Sequence, residues 1–389
     1  MGKNKRFLCI HGHFYQPPRE NPWLDRIERQ DSAAPFQNWN ERILSECYYP
    51  NSASRILDGK GKIRDIVNNY SQISFNIGPT LLSWIRNESP DLYTALIDAD
   101  RESIRKFSGH GNAIAQAYNH TILPLSPDRY KKTQIVWGIR DFRYHFKREP
   151  EGMWLPELAV DTDTLNVLAD SGIRFIILSQ YQADAVQKTG ESFWKDVRNG
   201  GIDTTRAYRV SLGMGRHIDV FFYNAEIARG VAFEGLLDNG GRFLERLKQG
   251  FSGVSRGQIV NIATDGESYG HHHRFGEMAL SYALQRLEKE GFARITNYGE
   301  FLEKFPPEYY VKISEESSWS CAHGIGRWKE DCGCSTGGGE GWNQKWREPL
   351  RGALNWLQNE FETLFKIKGG ELFKRPLAVE EDYILHLLD

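Results

Sequence analysis

Seven short apolar or alternating runs punctuate the chain, each stopping at polar, glycine- or proline-containing residues before a helical stretch. They are Phe7–Ile10 before His11-Gly12-His13, Ile73–Ile77 before Gly78-Pro79, Ala113–Tyr118 before Asn119-His120, and Gly152–Leu155 before Pro156-Glu157. Arg174–Leu178 before Ser179-Gln180, Asp219–Tyr223 before Asn224, and Ile259–Ala263 before Thr264-Asp265-Gly266 complete the set. Helix candidates fall between them at Pro90–Phe107, Ser126–Phe146, Asp161–Ser171, Glu234–Gln249 and Phe275–Glu290. Alternation of this kind predicts an α/β fold with right-handed crossovers and a parallel sheet. Seven units in 389 residues favour one large α/β barrel of about 250 residues plus an appendage. Neither Gly-x-Gly-x-x-Gly nor Gly-x-x-x-x-Gly-Lys occurs, so a barrel with a neutral ligand is preferred to a nucleotide fold.

After about residue 297 the pattern changes. A Ser-, Gly-, Cys- and Trp-rich loop, Glu315 to Trp346, precedes an amphipathic helix in which Leu350, Leu354, Leu357, Phe361 and Leu364 recur at helical spacing. The expected division is a catalytic barrel over 1–300 and a Trp/Cys-rich loop with a helical region over 301–389. The apolar end, Tyr383 to Asp389, carries no stop signal, and the chain reads as a piece of a longer protein whose helical part is cut short.

Charge narrows the partners. With 49 Lys+Arg against 51 Asp+Glu and a net charge of −2, there is no basic stripe for nucleic acid or anionic lipid. Met1 to Arg6 is basic, but Phe7 to Ile10 is too short for a signal-peptide core, and no apolar stretch approaches the roughly 20 residues of a membrane helix. A cytoplasmic protein without nucleic-acid or membrane partners is expected; nothing in the sequence speaks to its oligomeric state. Aromatic residues make up 13%, with 11 Trp, which hints at sugar rings stacking on aromatic planes.

The chemistry-bearing residues gather at strand ends, where α/β barrels place active sites. Glu157 follows the fourth strand and Asp265 the seventh, and paired carboxylates are what glycoside cleavage needs. The plain alternative makes them helix caps or loop charges. His11, His13 and Gln16 at the first strand end and His120 at the third supply donors and acceptors for a hydroxyl-rich ligand. In His271-His272-His273 consecutive side chains diverge, so His271 or His272 is read as a hydrogen-bond donor at the sugar rather than a metal ligand. Cys321, His323, Cys332 and Cys334 offer four soft ligands, but as Cys-x-His and Cys-x-Cys. Two readings stay open: a closed tetrahedral zinc site, atypical at that spacing, and reduced thiols packed under a loop, which is preferred. Trp319, Trp328, Trp342 and Trp346 make stacking platforms if the loop folds over the barrel mouth, or equally bury against the helical appendage; Trp319, Trp328 and His323 are the substrate-contact candidates.

Taken together, these motifs resemble glycoside hydrolase family 57. His13 to Pro17 is similar to its first motif, Asn119 to Leu125 to part of its second, Trp154-Leu155-Pro156-Glu157 to its third and Asp265-Gly266-Glu267 to its fourth, in order and across most of residues 1–300. The resemblance implies an incomplete (β/α)7 barrel with a C-terminal helical region and a retaining mechanism on α-glycosidic bonds. It implies Glu157 as nucleophile, Asp265 as general acid and base, His13, His120 and Trp154 at the reacting sugar, and Glu267 and His11 as lesser contributors. No metal or cofactor is implied. The fifth motif, at Ser318 to Gly324, is matched only loosely, which resembles the α-amylase/α-mannosidase-like branch and leaves sugar, linkage and acceptor open.

The expected function is cleavage or transfer of α-glucan bonds, with an oligo- or polysaccharide as partner. The competing readings are a metal-dependent carbohydrate deacetylase using an Asp and two His, and a non-catalytic glucan-binding domain.

Overall fold

A computed structural model describes residues 5–253, 256–334 and 338–388. Of the expected basic start and apolar end, residues 1–4 and 389 lie outside the described residues. The principal strands are β1 (Arg6–Phe14), β2 (Ser74–Ile77), β3 (Ala115–Gln116), β4 (Met153–Trp154), β5 (Phe175–Ser179), β6 (Ala183–Lys188), β7 (Ala207–Ser211), β8 (His217–Tyr223), β9 (Gln258–Asp265) and β10 (Tyr309–Ile313). The principal helices are α1 (Pro79–Glu88), α2 (Pro90–Lys106), α3 (Asp128–Phe146), α4 (Thr162–Asp170), α5 (Ala225–Phe233), α6 (Gly240–Gln249), α7 (Gly276–Lys289), α8 (Tyr298–Lys304), α9 (Arg347–Leu372) and α10 (Pro376–Asp382).

All seven predicted strands form, and parallel pairing passes from one to the next. β9 runs beside β1 from Arg6↔Gln258 to His13↔Asp265. β1 pairs β2 from His11↔Ser74 to Phe14↔Ile77. A bridge at Phe75↔Ala113 leads to β3, which pairs β4, and a bridge at Gly152↔Phe175 leads to β5. β5 pairs β8 from Phe175↔Asp219 to Ser179↔Tyr223. The Asn224 N–H then donates to the carbonyl of Asn261 in β9 at 2.9 Å. Leu8, Phe75, Ile176, Val220 and Ile262 are buried on these strands, as expected when parallel strands are covered on both faces.

The predicted helices also form, trimmed by local chemistry. The Glu234–Gln249 stretch becomes helical only from Gly240, because Gly235 turns in the left-handed region and Asn239 caps the start by accepting from the Arg242 N–H. Asp161 and Asn224 cap α4 and α5 in the same way, and Pro90 opens α2. The sequence reading did not identify β6, β7 and β10. With Lys195–Asp196, β8 and β5 they form a six-stranded sheet in which β6 pairs β10 and β7 pairs β8 antiparallel.

The amphipathic helix expected after the loop is α9. Its stripe at Leu350, Leu354, Leu357, Phe361 and Leu364 is 42% to 58% exposed in the described chain. α10 docks on α3 instead: the Trp137 indole N–H donates to the carbonyls of Glu380 and Glu381, and Arg129 pairs with Glu380. Among the described residues, no helix is long and apolar enough to cross a membrane.

Candidate active site

The C-terminal ends of β4, β5, β8 and β9 converge on a cleft of about 640 Å³ whose lining includes Glu157, Ser179, Tyr223, Asp265, Trp319 and Ser320. Glu157 follows β4 in a tight turn, with φ 56° and ψ 16°, and Leu158 follows at φ 49°. Two successive non-glycine residues in the left-handed region are costly, and such strain persists where the surroundings over-determine it. Here Pro156 fixes the approach, and the Trp319 backbone N–H donates to the Glu157 carbonyl at 3.1 Å. One carboxylate oxygen of Glu157, Oε2, accepts from Trp319 Nε1 at 3.1 Å and from Ser320 Oγ at 2.7 Å. The side chain is therefore aimed from both sides.

Asp265 ends β9, in register with His13 of β1. Its carboxyl opens to the cleft yet is recessed among protein atoms. That recess, reinforced by the nearby negative charge of Glu157, raises it from 3.8 to about 6. One carboxyl is thus clamped by donors while its neighbour is biased toward the protonated form, the separation of roles that acid and nucleophile require.

Three histidines stand behind this pair as neutral rings. Burial drives His11 down to about 3 and His120 to about 4; His13 is lowered by burial and by His120. The hydrogen-bond network is consistent with one set of tautomers. Ser74 Oγ donates to His11 Nδ1 at 2.9 Å, and His11 Nε2 donates to Asn76 Oδ1 at 3.1 Å. Asn76 Nδ2 donates to His13 Nδ1 at 2.9 Å and to Gln116 Oε1 at 2.7 Å. His13 then donates through Nε2 to His120 Nε2 at 3.2 Å. His120 is itself left-handed, at φ 55°. Stacked rings continue the wall: Tyr15 lies 3.8 Å from His120 between centroids, His13 lies 4.7 Å from Trp154, and Trp154 meets Trp319 edge-on at 5.2 Å.

Glu267 lies beneath this wall. Tyr48 Oη donates to its Oε1 at 2.6 Å, the Tyr15 N–H at 3.1 Å and Gln16 Nε2 at 3.5 Å, tying the loop after β1 to the turn after β9. Burial raises its carboxyl to about 7.

The other predicted contacts lie elsewhere. His11 is fully buried under Trp154, so it supports the wall rather than facing the cleft. His271 bonds Glu46 and lines a separate hollow with Arg42 and Arg274, and His272 is exposed beside it, because the turn after Glu267 carries this run away from Asp265. Trp328 packs beside Trp346 and Arg347 in a third hollow, and His323 joins the cysteines of its loop. The sequence reading missed Ser320, Ser179, Tyr223 and Asn76. Ser179 and Tyr223 were legible only as strand-end residues, and Asn76 lay hidden in an apolar run.

Comparison with known proteins places this geometry in context. The profile of Glycosyl hydrolase family 57 matches residues 12–314, and that of a Domain of unknown function (DUF3536) matches residues 342–389. The chain is similar to an alpha-amylase from Pyrococcus horikoshii, with 22% identity over 260 residues, 64% of this chain and 37% of the relative. It is similar to a 4-alpha-glucanotransferase from Thermococcus kodakarensis, with 22% identity over 322 residues, 80% of this chain and 41% of the relative. The chain thus spans about two fifths of the length of these two curated relatives. Among solved structures, an exo-type maltose-forming amylase from Pyrococcus sp. ST04 superposes with a TM-score of 0.72 at 14% identity, covering 98% of this chain and 66% of that one.

Proposed function

The chain belongs to glycosyl hydrolase family 57, and on that premise we propose that it is a retaining α-glycosidase or transglycosidase acting on α-glucan, with Glu157 as nucleophile and Asp265 as general acid and base. The observation that carries this reading is the pairing of a donor-clamped Glu157 with an Asp265 raised to about 6 across one cleft. The names of the similar amylase and glucanotransferase support the substrate class.

In the first step a glucose unit sits with its anomeric carbon toward Glu157 and its glycosidic oxygen toward Asp265. The Glu157 carboxylate attacks the carbon as the C–O bond breaks, and Asp265 gives its proton to the departing oxygen. The product is a glycosyl ester on Glu157 and an ionised Asp265. In the second step Asp265 takes a proton from water or from a sugar hydroxyl, whose oxygen displaces Glu157 and restores both groups. Water gives hydrolysis and sugar gives transfer. Trp319 and Tyr223 supply ring faces for the sugar, and His13 and His120 supply neutral polar groups that do not compete for the proton.

This reading takes the succession β9, β1, β2, β3, β4, β5, β8 as an incomplete (β/α)7 barrel within residues 1–300. The expected boundary at 300 shifts, because β10 pairs with β6 and β7 in the six-stranded sheet; the loop after β10 contributes Trp319 and Ser320 to the cleft, and the helices α9 and α10 follow it. Among the described residues, metal-ligating side chains come close enough to share an ion at Cys321, His323, Cys332 and Cys334, a group that omits Asp265. The deacetylase arrangement therefore has no geometric support at the cleft.

The test is incubation of wild type and Glu157→Ala with maltoheptaose, with products read by mass spectrometry. Shorter or redistributed oligomers from wild type, reduced about 1,000-fold or more in the variant, are expected. Maltoheptaose that binds but returns intact from both proteins would support the binding-domain reading instead.

A further inference from the structure

The loop that delivers Trp319 and Ser320 to Glu157 continues directly into Cys321, and there the chain gathers four soft ligands. Cys321 Sγ lies 3.6 Å from Cys334 Sγ, 3.9 Å from Cys332 Sγ and 3.8 Å from His323 Nδ1. His323 Nδ1 lies 3.4 Å from Cys334 Sγ, and all four ligand atoms fall within 4.8 Å of one another.

These separations have a specific chemical meaning. A disulfide needs sulfurs about 2.05 Å apart, and three cysteines leave one over. A tetrahedral zinc with bonds of about 2.3 Å to sulfur and 2.0–2.1 Å to nitrogen holds its sulfurs about 3.8 Å apart and sulfur to nitrogen about 3.6 Å apart. The four separations, 3.4 to 3.9 Å, scatter around those values.

We propose that Cys321, His323, Cys332 and Cys334 form a closed Cys3His site for a borderline-soft divalent cation, zinc by preference, that anchors the loop over the cleft. Of the two readings the sequence left open, this takes the zinc site over the preferred reduced thiols. The spacing looked atypical because zinc loops favour two intervening residues between cysteines, whereas here Gly333, left-handed at φ 76°, lets the Cys-Gly-Cys chain turn both sulfurs to one point. The surroundings suit the charge. Three thiolates on zinc carry a net charge of −1, and Arg347 Nη1 lies 3.7 Å from Cys332 Sγ while the His323 backbone N–H donates to Cys321 Sγ at 3.4 Å. With all four positions taken by protein the cation is structural: it has no open site for water or sugar. Its influence on Glu157, which rests on the proposed function, runs through the peptide bond from Cys321 to Ser320.

The decisive experiment is elemental analysis of the chain purified without an affinity histidine tag and dialysed into metal-free buffer, beside the double variant C332S/C334S. About one zinc per chain is expected in wild type, falling at least about tenfold in the variant while far-ultraviolet circular dichroism is retained. Should the variant fail to fold, cobalt(II) titration of reduced, metal-stripped wild type replaces it. Tetrahedral d–d bands and thiolate-to-cobalt charge transfer saturating near one equivalent are expected. The proposal is overturned if wild type neither retains zinc nor gives these bands, if the variant keeps wild-type zinc, or if peptide mapping finds two of the three cysteines disulfide-bonded. None of these readouts depends on glucan turnover, so the site and the proposed activity fail independently.

Discussion

Ser320 holds the nucleophile candidate directly, since its hydroxyl and the Trp319 indole both donate to Glu157 Oε2. Hydrogen bonds to charged groups contribute about 1.5–3 kcal/mol. Ser320→Ala is therefore expected to lower kcat on maltoheptaose roughly 10- to 100-fold, with unchanged thermal stability because Ser320 is exposed. In the proposed mechanism Asp265 serves as the acid only while protonated. With its carboxyl at about 6, kcat/KM is expected to fall as pH rises through that value, and Asp265→Asn is expected to abolish the limb along with most activity. Glu267 leaves its mark on stability. Its folded-state value of about 7 lies above its unfolded value of 4.5, so the folded chain binds the proton more tightly, and stability falls as pH rises from about 4.5 to 7. Glu267→Gln keeps an oxygen for Tyr48 and the Tyr15 N–H but removes the ionisation. Its melting temperature relative to wild type is expected to be higher at pH 8 than at pH 5, within a linkage of roughly 3 kcal/mol.

At the scale of elements, the strands that carry the site were legible and the side chains that complete it were not. β1, β5, β8 and β9 are long enough for hydrophobic runs to reveal them, and parallel strands covered on both faces require such runs. Glu157 and Asp265 stood out because each ends such a run. Ser320 and Trp319 reach Glu157 across more than 160 residues of sequence, a contact that no local pattern encodes. β6, β7 and β10 escaped notice because their antiparallel pairing mixes polar and apolar positions without a clean period. The His271 run misled because strand-end proximity in sequence is lost once the turn after Glu267 bends away. Helix-to-strand contact is tighter still. A Cβ on Gly138 of α3 would lie 1.9 Å from the Gln116 carbonyl oxygen in β3. Gly138→Ala is expected to destabilise the chain by about 2–3 kcal/mol or more, read as a lower melting temperature, by pushing α3 off the strand whose Gln116 side chain accepts from Asn76.

The molecule as a whole joins three parts: parallel strands bearing the carboxylates, a loop that clamps Glu157, and C-terminal helices held to α3 by Trp137 and Arg129. The family profile matches residues 12–314, so Trp319 and Ser320, which clamp Glu157, lie just beyond the matched residues. The central claim is a covalent glycosyl intermediate on Glu157, and the most direct measurement is trapping with a 5-fluoro-α-glucosyl fluoride followed by peptide mass spectrometry. The account predicts one added glycosyl group, on the peptide containing Glu157 and on that residue, and none in Glu157→Ala. A label on another carboxylate, or turnover of the fluoride by wild type at full rate with Glu157→Ala equally active, would contradict it.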